Sequence, residues 1–516
     1  MFKSIKTIGF VLFYASFILF NSTLFLHNYT LTEKIVNQSD LKKMQKETLL
    51  QKGSKLFNVE MSKWKMASEL KSLIEEVNNE FKAQEEHGQV IYSKNTVVYH
   101  LAKEASHGIV RKNNIIFLIL TFGMGLLAAL MIYLPNLALK HPDTRNHNLL
   151  YTSISGRGIM AYLLFFYLIG FYVILYFFPV YIIEPVLMVD PISLSLFGSY
   201  AGRWFLYGLL YTVFVIIMGV RFMVNYRNSR YHLTRTVSVM FFQLVFAFML
   251  PNLMVMFNYP YMDLKNIWPL NYTFFYEYRI EGFLNAGAIG MTMFLWGIIL
   301  IIAGVPLITF FWGKRWYCSW VCGCGGLAET AGDPFRHQSN KSLKAWQFER
   351  VSVHSVLLLA IGMTAVVLYS YLSGDDQVLG LKSYNVQKFY GFLVGSVLAG
   401  VVGTGFYPIF GNRVWCRFFC PLAAYIGIIQ RFKSRFRITT NGGQCISCGN
   451  CSKYCEMGID VRFYAQKGQN IVRASCVGCG ICSAVCPRGV LRLENRDTKN
   501  RVKKNPVLTG NLNNKK

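Results

Sequence analysis

Residues 445–455 read CISCGNCSKYC and residues 476–487 read CVGCGICSAVCP, with twenty residues between them. Each half has the spacing C-x2-C-x2-C-x3-C, in which a short loop and the helical turn after it present three thiolates to one 4Fe-4S cube and a fourth to its neighbour. The spacing therefore predicts crossed wiring. Cys445, Cys448, Cys451 and Cys486 are expected to hold one 4Fe-4S cluster, and Cys476, Cys479, Cys482 and Cys455 the other. Zinc is the competing reading, because sets of four cysteines also bind that ion. It needs only two C-x2-C pairs, however, and leaves a third Cys at the same step in both halves unexplained. The halves differ at one position: Glu456 follows the fourth Cys where Pro487 follows it in the second half. That proline turns the chain, so its loss is expected to loosen one corner without removing a ligand.

Outward from this stretch the chain is a membrane protein by composition. Its 516 residues are 53% hydrophobic and 16% aromatic, and the mean hydropathy is +0.32. The formal charge of +27 would suggest nucleic acid in a soluble domain. Here Lys and Arg flank apolar segments, where anionic lipid and the topology rule account for them, so no nucleic-acid partner is expected. All 13 cysteines lie between Cys318 and Cys486. That gathering points to metal sites on a reducing face and away from a disulfide framework.

Eight apolar segments are long enough to span about 30 Å of hydrocarbon. They lie near 5–26, 114–136, 158–180, 202–224, 237–257, 287–310, 352–372 and 388–410. The first lacks an A-x-A-like site before Asn28, which favours an uncleaved anchor over a signal peptide. The expected class is mainly α: a polytopic α-helical membrane protein of about eight spans with a C-terminal two-cluster bacterial-type ferredoxin domain. Its parts are an N-terminal anchor (1–27), an outward helical domain (28–112) and a transmembrane bundle (113–410) with an inward C-x3-C loop (311–350). A membrane-edge segment and linker (411–440), the ferredoxin domain (441–495) and a basic tail (496–516) follow. Within 28–112, Leu41, Met44, Leu49, Leu50, Leu56, Phe57, Leu70 and Leu73 recur at helical spacing. One or two amphipathic helices packed on each other or on the membrane surface are expected there, with a sensor or docking module as the sharper alternative.

Orientation follows from the short connections. Thirteen Lys and Arg fall on 137–157, 221–236 and 311–350, Lys140 and Arg145 among them, against five on 181–203, 258–286 and 373–388. That bias places the ferredoxin domain in the cytoplasm of a bacterial inner-membrane protein and 28–112 outside.

A second pair of cysteine motifs follows two of the spans. WGKRWYCSWVCGCGG (312–326) and FGNRVWCRFFCPLAA (410–424) align on Cys318 and Cys416, 98 residues apart. Both have Gly five residues before, Arg three before, an aromatic one before and a second Cys four after. A C-x3-C step stacks two thiols on one helical face, so Cys318, Cys322, Cys416 and Cys420 are candidates for one shared site at the membrane's inner edge. A third iron-sulfur or copper centre, two reversible dithiols, and plain reduced cysteines in tight turns all remain open. Cys324 has no counterpart and is a doubtful ligand. Arg315 and Arg413 either mark the inner boundary or stabilise thiolates. Trp312, Trp316, Trp320 and Trp415 fit an interfacial aromatic belt, and a quinone pocket among them is an alternative. His354 is the only His inside a span, which does not make a bis-His haem. No nucleotide-binding glycine motif is present.

In these motifs, residues 287–495 resemble the NosR/NapH/CcoG group of bacterial membrane polyferredoxins, which join two C-x3-C(P) motifs to a C-terminal two-cluster ferredoxin. The resemblance implies membrane-bound electron transfer from a cytoplasmic donor such as flavodoxin or ferredoxin, or from quinol. The acceptor would be an outward respiratory or metalloenzyme-assembly partner. Three departures stand out. Gly323 replaces the proline that Pro421 keeps, 28–112 holds nothing like a flavinylation motif, and no β-rich domain follows Cys486. Arg431, Lys433, Arg435, Arg437 and Arg488 are candidates for docking an acidic carrier, or the first four for resting on anionic headgroups. Delivery of copper by the C-x3-C cysteines and redox sensing through 28–112 stand as alternatives.

Overall fold

The computed structural model describes residues 2–138, 157–375, 377–378 and 380–495. Lys140, Arg145 and the tail at 496–516 lie outside the described residues. Among the described residues eight helices are long and apolar enough to cross a membrane: Ser4–Phe25, Asn114–Pro135, Ile159–Phe177, Arg203–Asn225, Arg230–Met256, Gly287–Trp312, Leu343–Ser373 and Ser383–Gly405. They coincide with the eight apolar segments read from the sequence. The helical pair Pro179–Met188 and Asp190–Phe197, bent by 65°, falls in a stretch the sequence reading left as a connection.

The chain divides into two compact units, residues 1–140 with 173–210, and residues 141–172 with 211–516. In the first unit, Ser4–Phe25 and Asn114–Pro135 pack closely where Gly9 leaves room for Ile132. Residues 28–112 form more than the one or two helices expected. Helices Glu33–Gln38, Lys43–Lys52, Lys63–Ala83 and Lys94–Ala105 are joined by an antiparallel pair of short strands, Tyr29–Thr30 with Glu60–Met61. Leu49, Leu70, Ile74, Val77, Phe81 and Val98 are buried in a core that also takes in Val180, Ile183 and Leu187 of the bent pair. Of the apolar positions read from the sequence, Met44 is exposed. Lys63 is buried against Glu184 and donates to the carbonyls of Leu24 and Tyr181, while the Tyr29 hydroxyl donates to the other oxygen of Glu184.

The second unit joins the last spans to the cysteine domain through one continuous core. Val305, Val356, Met363, Val394, Trp415 and Leu422 from the helices belong to the same cluster as Phe436, Ile438, Met457, Ile471 and Val477. The cysteine domain is closed by an antiparallel strand pair, Arg437–Thr440 with Leu491–Glu494, in the register Arg437↔Glu494 to Thr440↔Leu491. Several helices here carry π-helical turns, at Phe242–Met249, Leu300–Gly304, Gly391–Val402 and Trp415–Phe419. Such turns are uncommon and tend to mark functional sites. The last of them carries Cys416.

Candidate iron-sulfur sites

The two halves of the cysteine domain repeat their backbone geometry. Left-handed residues fall at Ser447 and Gly449 in the first loop and at Gly478 and Gly480 in the second. Each loop then enters a single helical turn, Asn450–Lys453 or Ile481–Ala484. Cys445, Cys448, Cys451 and Cys486 line one cavity of about 350 Å³ that opens to solvent. Cys486, from the far half, thus joins the first three, the crossing that the spacing predicts. Cys455 in turn lies within electrostatic reach of Cys476 and Cys482, beside Cys479.

Each donor set gathers four thiols, one of them from the opposite half, which is the crossed arrangement that a pair of 4Fe-4S cubes takes. Burial pushes the Cys451 and Cys476 thiols up to about 12. Ionised sulfur in such surroundings needs a positive partner, which cluster iron supplies.

The two sets differ in exposure. Cys448 is exposed, and Ile446, Phe463, Arg462 and Arg488 around it face solvent. The loop of Cys476 and Cys479 is instead clamped by side chains of the helical half. Lys314 Nζ donates to the carbonyl of Ala474 (3.3 Å), Gln430 Nε2 to Cys476 (2.8 Å), Ser319 Oγ to Val477 (2.9 Å) and Tyr231 to Gly478 (2.8 Å); Arg235 donates to Cys479. Ser319 directly follows Cys318, so this clamp joins the second loop to the first C-x3-C turn.

The two C-x3-C turns meet. Cys318, Cys322, Cys416 and Cys420 are all buried, and their thiols lie within electrostatic reach of one another. Gly313 and Gly411, the repeat's shared glycines, both have positive φ (66° and 93°), a conformation that side chains disfavour, and both break the chain after a span. Cys322 and Cys420 then start the helices Gly323–Thr330 and Pro421–Lys433 from their N-cap positions. Cys324 is brought into the same group, bonded to Cys322. That hydrogen bond is the largest influence on the Cys322 thiol. Despite burial, it combines with the Gly325 N–H and the nearby Lys265 and Arg413 to draw Cys322 down to about 6.

Residues of the connection at 258–286 also reach this site. Lys265, counted among the outward residues, is buried and sits beside Cys322 and Cys324, bonded to Gln243 halfway along Arg230–Met256. Tyr390, near the start of Ser383–Gly405, is within electrostatic reach of Cys420. The loop at 258–276 therefore folds back toward the cysteines.

Arg413 and Arg315 have different roles. Arg413 is buried, donates to the Cys318 carbonyl (3.2 Å) and approaches Cys416 Sγ (3.8 Å), so it ties the two turns together. Arg315 lies over the Phe436 ring at 4.9 Å. The tryptophans do not form one belt either. Trp312 is exposed, Trp415 is buried in the core, and Trp316 and Trp320 donate to Thr309 and Tyr231. His354 bonds the Arg350 carbonyl one turn back in its own helix.

Glu456 does not loosen its corner. It is fully buried and pairs with Arg336 and Arg413, with Asn412 at 3.3 Å. Burial would raise its carboxyl, but Arg413, Arg336 and Arg235 hold it down at about 2. Arg413 also pairs with Glu329, which pairs with Arg235, and Arg336 pairs with Asp333. With Arg221, which also reaches Asp333 (3.8 Å), four arginines and three carboxylates form a network between the cysteine domain and the helical half. Sequence reasoning missed Glu329, Ser319, Tyr231 and Gln430; the Glu456-for-Pro departure was the only written signal.

Fold and cysteine sets together define a membrane-bound, ferredoxin-type iron-sulfur protein with several apolar spans. Residues 444–491 match the model of a 4Fe-4S dicluster domain, and 293–342 and 393–439 both match that of a 4Fe-4S binding domain, so the C-x3-C repeat is itself the unit of a family. The chain is 27% identical over 157 residues to the putative electron transport protein YccM of Escherichia coli, covering 29% of this chain and 43% of that one. It is 26% identical over 162 residues to the methylamine utilization ferredoxin-type protein MauN of Methylobacillus flagellatus (30% and 52%). It is also 26% identical over 159 residues to the regulatory protein NosR of Stutzerimonas stutzeri (28% and 20%). Two of these relatives are named as electron-transport or ferredoxin-type proteins, and the chain is similar to each of the three over about 30% of its length. The alignments span about half or less of these relatives' lengths. No solved structure matches the chain.

Proposed function

We propose that the protein carries single electrons between a donor at the exposed face of its cysteine domain and an acceptor reached through the membrane half. The observation that supports this reading most is the grading of its three cysteine sets. The first opens to solvent at Cys448, the second is clamped to the helical half through five of its carbonyls, and the third is enclosed among the spans. Cys445, Cys448, Cys451 and Cys486 would hold one 4Fe-4S cluster, Cys476, Cys479, Cys482 and Cys455 a second, and Cys318, Cys322, Cys416 and Cys420 a third. When bound, each supplies a one-electron couple. The protein's own residues fix the sulfurs, exclude water from the second and third sets, and place fixed charge around them. Arg413, Lys314 and Lys265 surround the third set. Exposed Arg462 and Arg488 beside Cys448 suit an acidic one-electron carrier such as a flavodoxin or ferredoxin. The positive-inside bias puts this face in the cytoplasm of a bacterial inner membrane, with residues 28–112 outside.

The test is iron, acid-labile sulfide and copper content, with low-temperature EPR, on anaerobically purified protein. It is compared with a variant carrying Ser at Cys318, Cys322, Cys416 and Cys420. We expect about twelve iron per chain falling to about eight. Eight in both proteins would remove the third cluster. Copper in its place would turn the reading toward metal delivery to an outward enzyme.

A further inference from the structure

Gly323 stands where the second copy of the C-x3-C repeat has Pro421, at a position where proline is well suited to start a helix. The structure supplies a reason. A Cβ at Gly323 would lie 2.7 Å from Lys265 Nζ and 3.0 Å from Gln243 Oε1. The ammonium of Lys265 therefore rests where any side chain at 323 would stand. It donates to Gln243 Oε1 at 2.8 Å, and Gln243 in turn donates to Thr212 Oγ1 at 3.2 Å. The Tyr317 hydroxyl donates to the Lys265 carbonyl at 3.1 Å and fixes the backbone of that loop.

The three cations around the third cysteine set are not equivalent. Arg413 is paired with Glu329 and Glu456, so its charge is largely answered. Lys314 is bonded to the Ala474 carbonyl of the cysteine domain. Lys265 is 5% exposed; its ammonium donates to the neutral Gln243, and the carboxylate that acts on it, Asp263, accepts the backbone N–H groups of Lys265 and Asn266 and the Asn266 amide. Its positive charge acts on Asp263 first and then on Cys322 and Cys324. Reduction of a cluster adds one electron and breaks no bond, so the charge of the site becomes more negative by one. A buried cation stabilises that form, and low local polarity strengthens the effect.

We infer that Lys265 sets the reduction potential of the centre held by Cys318, Cys322, Cys416 and Cys420, and that Gly323 replaces proline in this half of the repeat to admit its ammonium. This rests on the third cluster proposed above. It makes the loop at 258–276, rather than either cysteine motif, the element that sets the third centre apart from the other two.

The experiment is an EPR-monitored redox titration, with dithionite as reductant, of the full chain and of Lys265→Met, Lys265→Arg and Gly323→Ala, each with its iron content measured. The signal of interest is the one lost in the four-serine variant. Lys265→Met is expected to shift it to a more negative midpoint while leaving the other two signals in place, and Lys265→Arg to restore most of the shift. Gly323→Ala should shift it in the same direction by less, because the methyl displaces only the end of a flexible side chain. An unchanged midpoint in Lys265→Met with full iron overturns the inference. If Lys265→Met loses iron, an unchanged midpoint in Gly323→Ala overturns it instead. Eight iron in the unaltered protein would refute the third cluster itself, and this outcome is read from the metal content before any potential is measured.

Discussion

The Glu456 network gives the sharpest stability prediction. Its carboxylate is fully buried and faces Arg336 and Arg413, and the network holds four arginines against three acids. Glu456→Ala leaves four arginines facing two anions. Breaking a buried pair from one side costs about 3–5 kcal/mol. Arg413 keeps Glu329 and Arg336 keeps Asp333, which puts the expected cost at the lower end, about 3 kcal/mol. That corresponds to roughly a hundredfold rise in local opening. Glu456→Pro, which restores the pattern of the second half, should cost at least as much, because it removes the same charge. The assay is amide hydrogen exchange of anaerobic, detergent-solubilised protein, read over residues 454–466. Protection there should fall about a hundredfold in both variants, and less in Glu456→Gln, which keeps an acceptor. Arg336→Ala and the double variant complete a cycle whose coupling should exceed about 1 kcal/mol. A proline variant as protected as the parent would refute the reasoning, since the position would then be an ordinary turn.

Three further outcomes are expected. Ser319→Ala removes the hydroxyl that bonds the Val477 carbonyl at 2.9 Å; it should cost about 1–3 kcal/mol and raise exchange in 474–482 without lowering iron content. Lys63→Met strands the buried carboxylate of Glu184 and should destabilise the first unit by about 3–5 kcal/mol, while an apolar replacement of both residues should be near neutral; thermal unfolding separates the two, with cluster signals unchanged. Treatment with a chelator and mild oxidant should release about four iron first, because Cys448 is exposed and the C-x3-C cysteines are buried, and the phases can be followed by absorbance and iron release.

What could be read from the sequence was what depends on local spacing. The eight spans needed only a run of apolar residues matched to bilayer thickness, and the crossing of Cys486 into the first set followed from two identical C-x2-C-x2-C-x3-C steps. The meeting of the two C-x3-C turns was readable because a repeat had placed them after equivalent spans. The approach of Lys265 was not readable, because it depends on a loop 53 residues before Cys318 returning to a bond with Gln243. The charge reading shows the same limit. Arg221, Arg235 and Arg336 all count toward the inward bias, yet the structure pairs them with Asp333, Glu329 and Glu456. An arginine placed at a membrane boundary for topology and one placed there to neutralise a buried carboxylate look alike until the partner is found. For Arg336 the partner lies 120 residues away. The mark it left was a glutamate where a proline belonged, and Gly323 is a second mark of the same kind. At both positions a local rule is broken, and at both the structure puts a distant charge against the residue that breaks it.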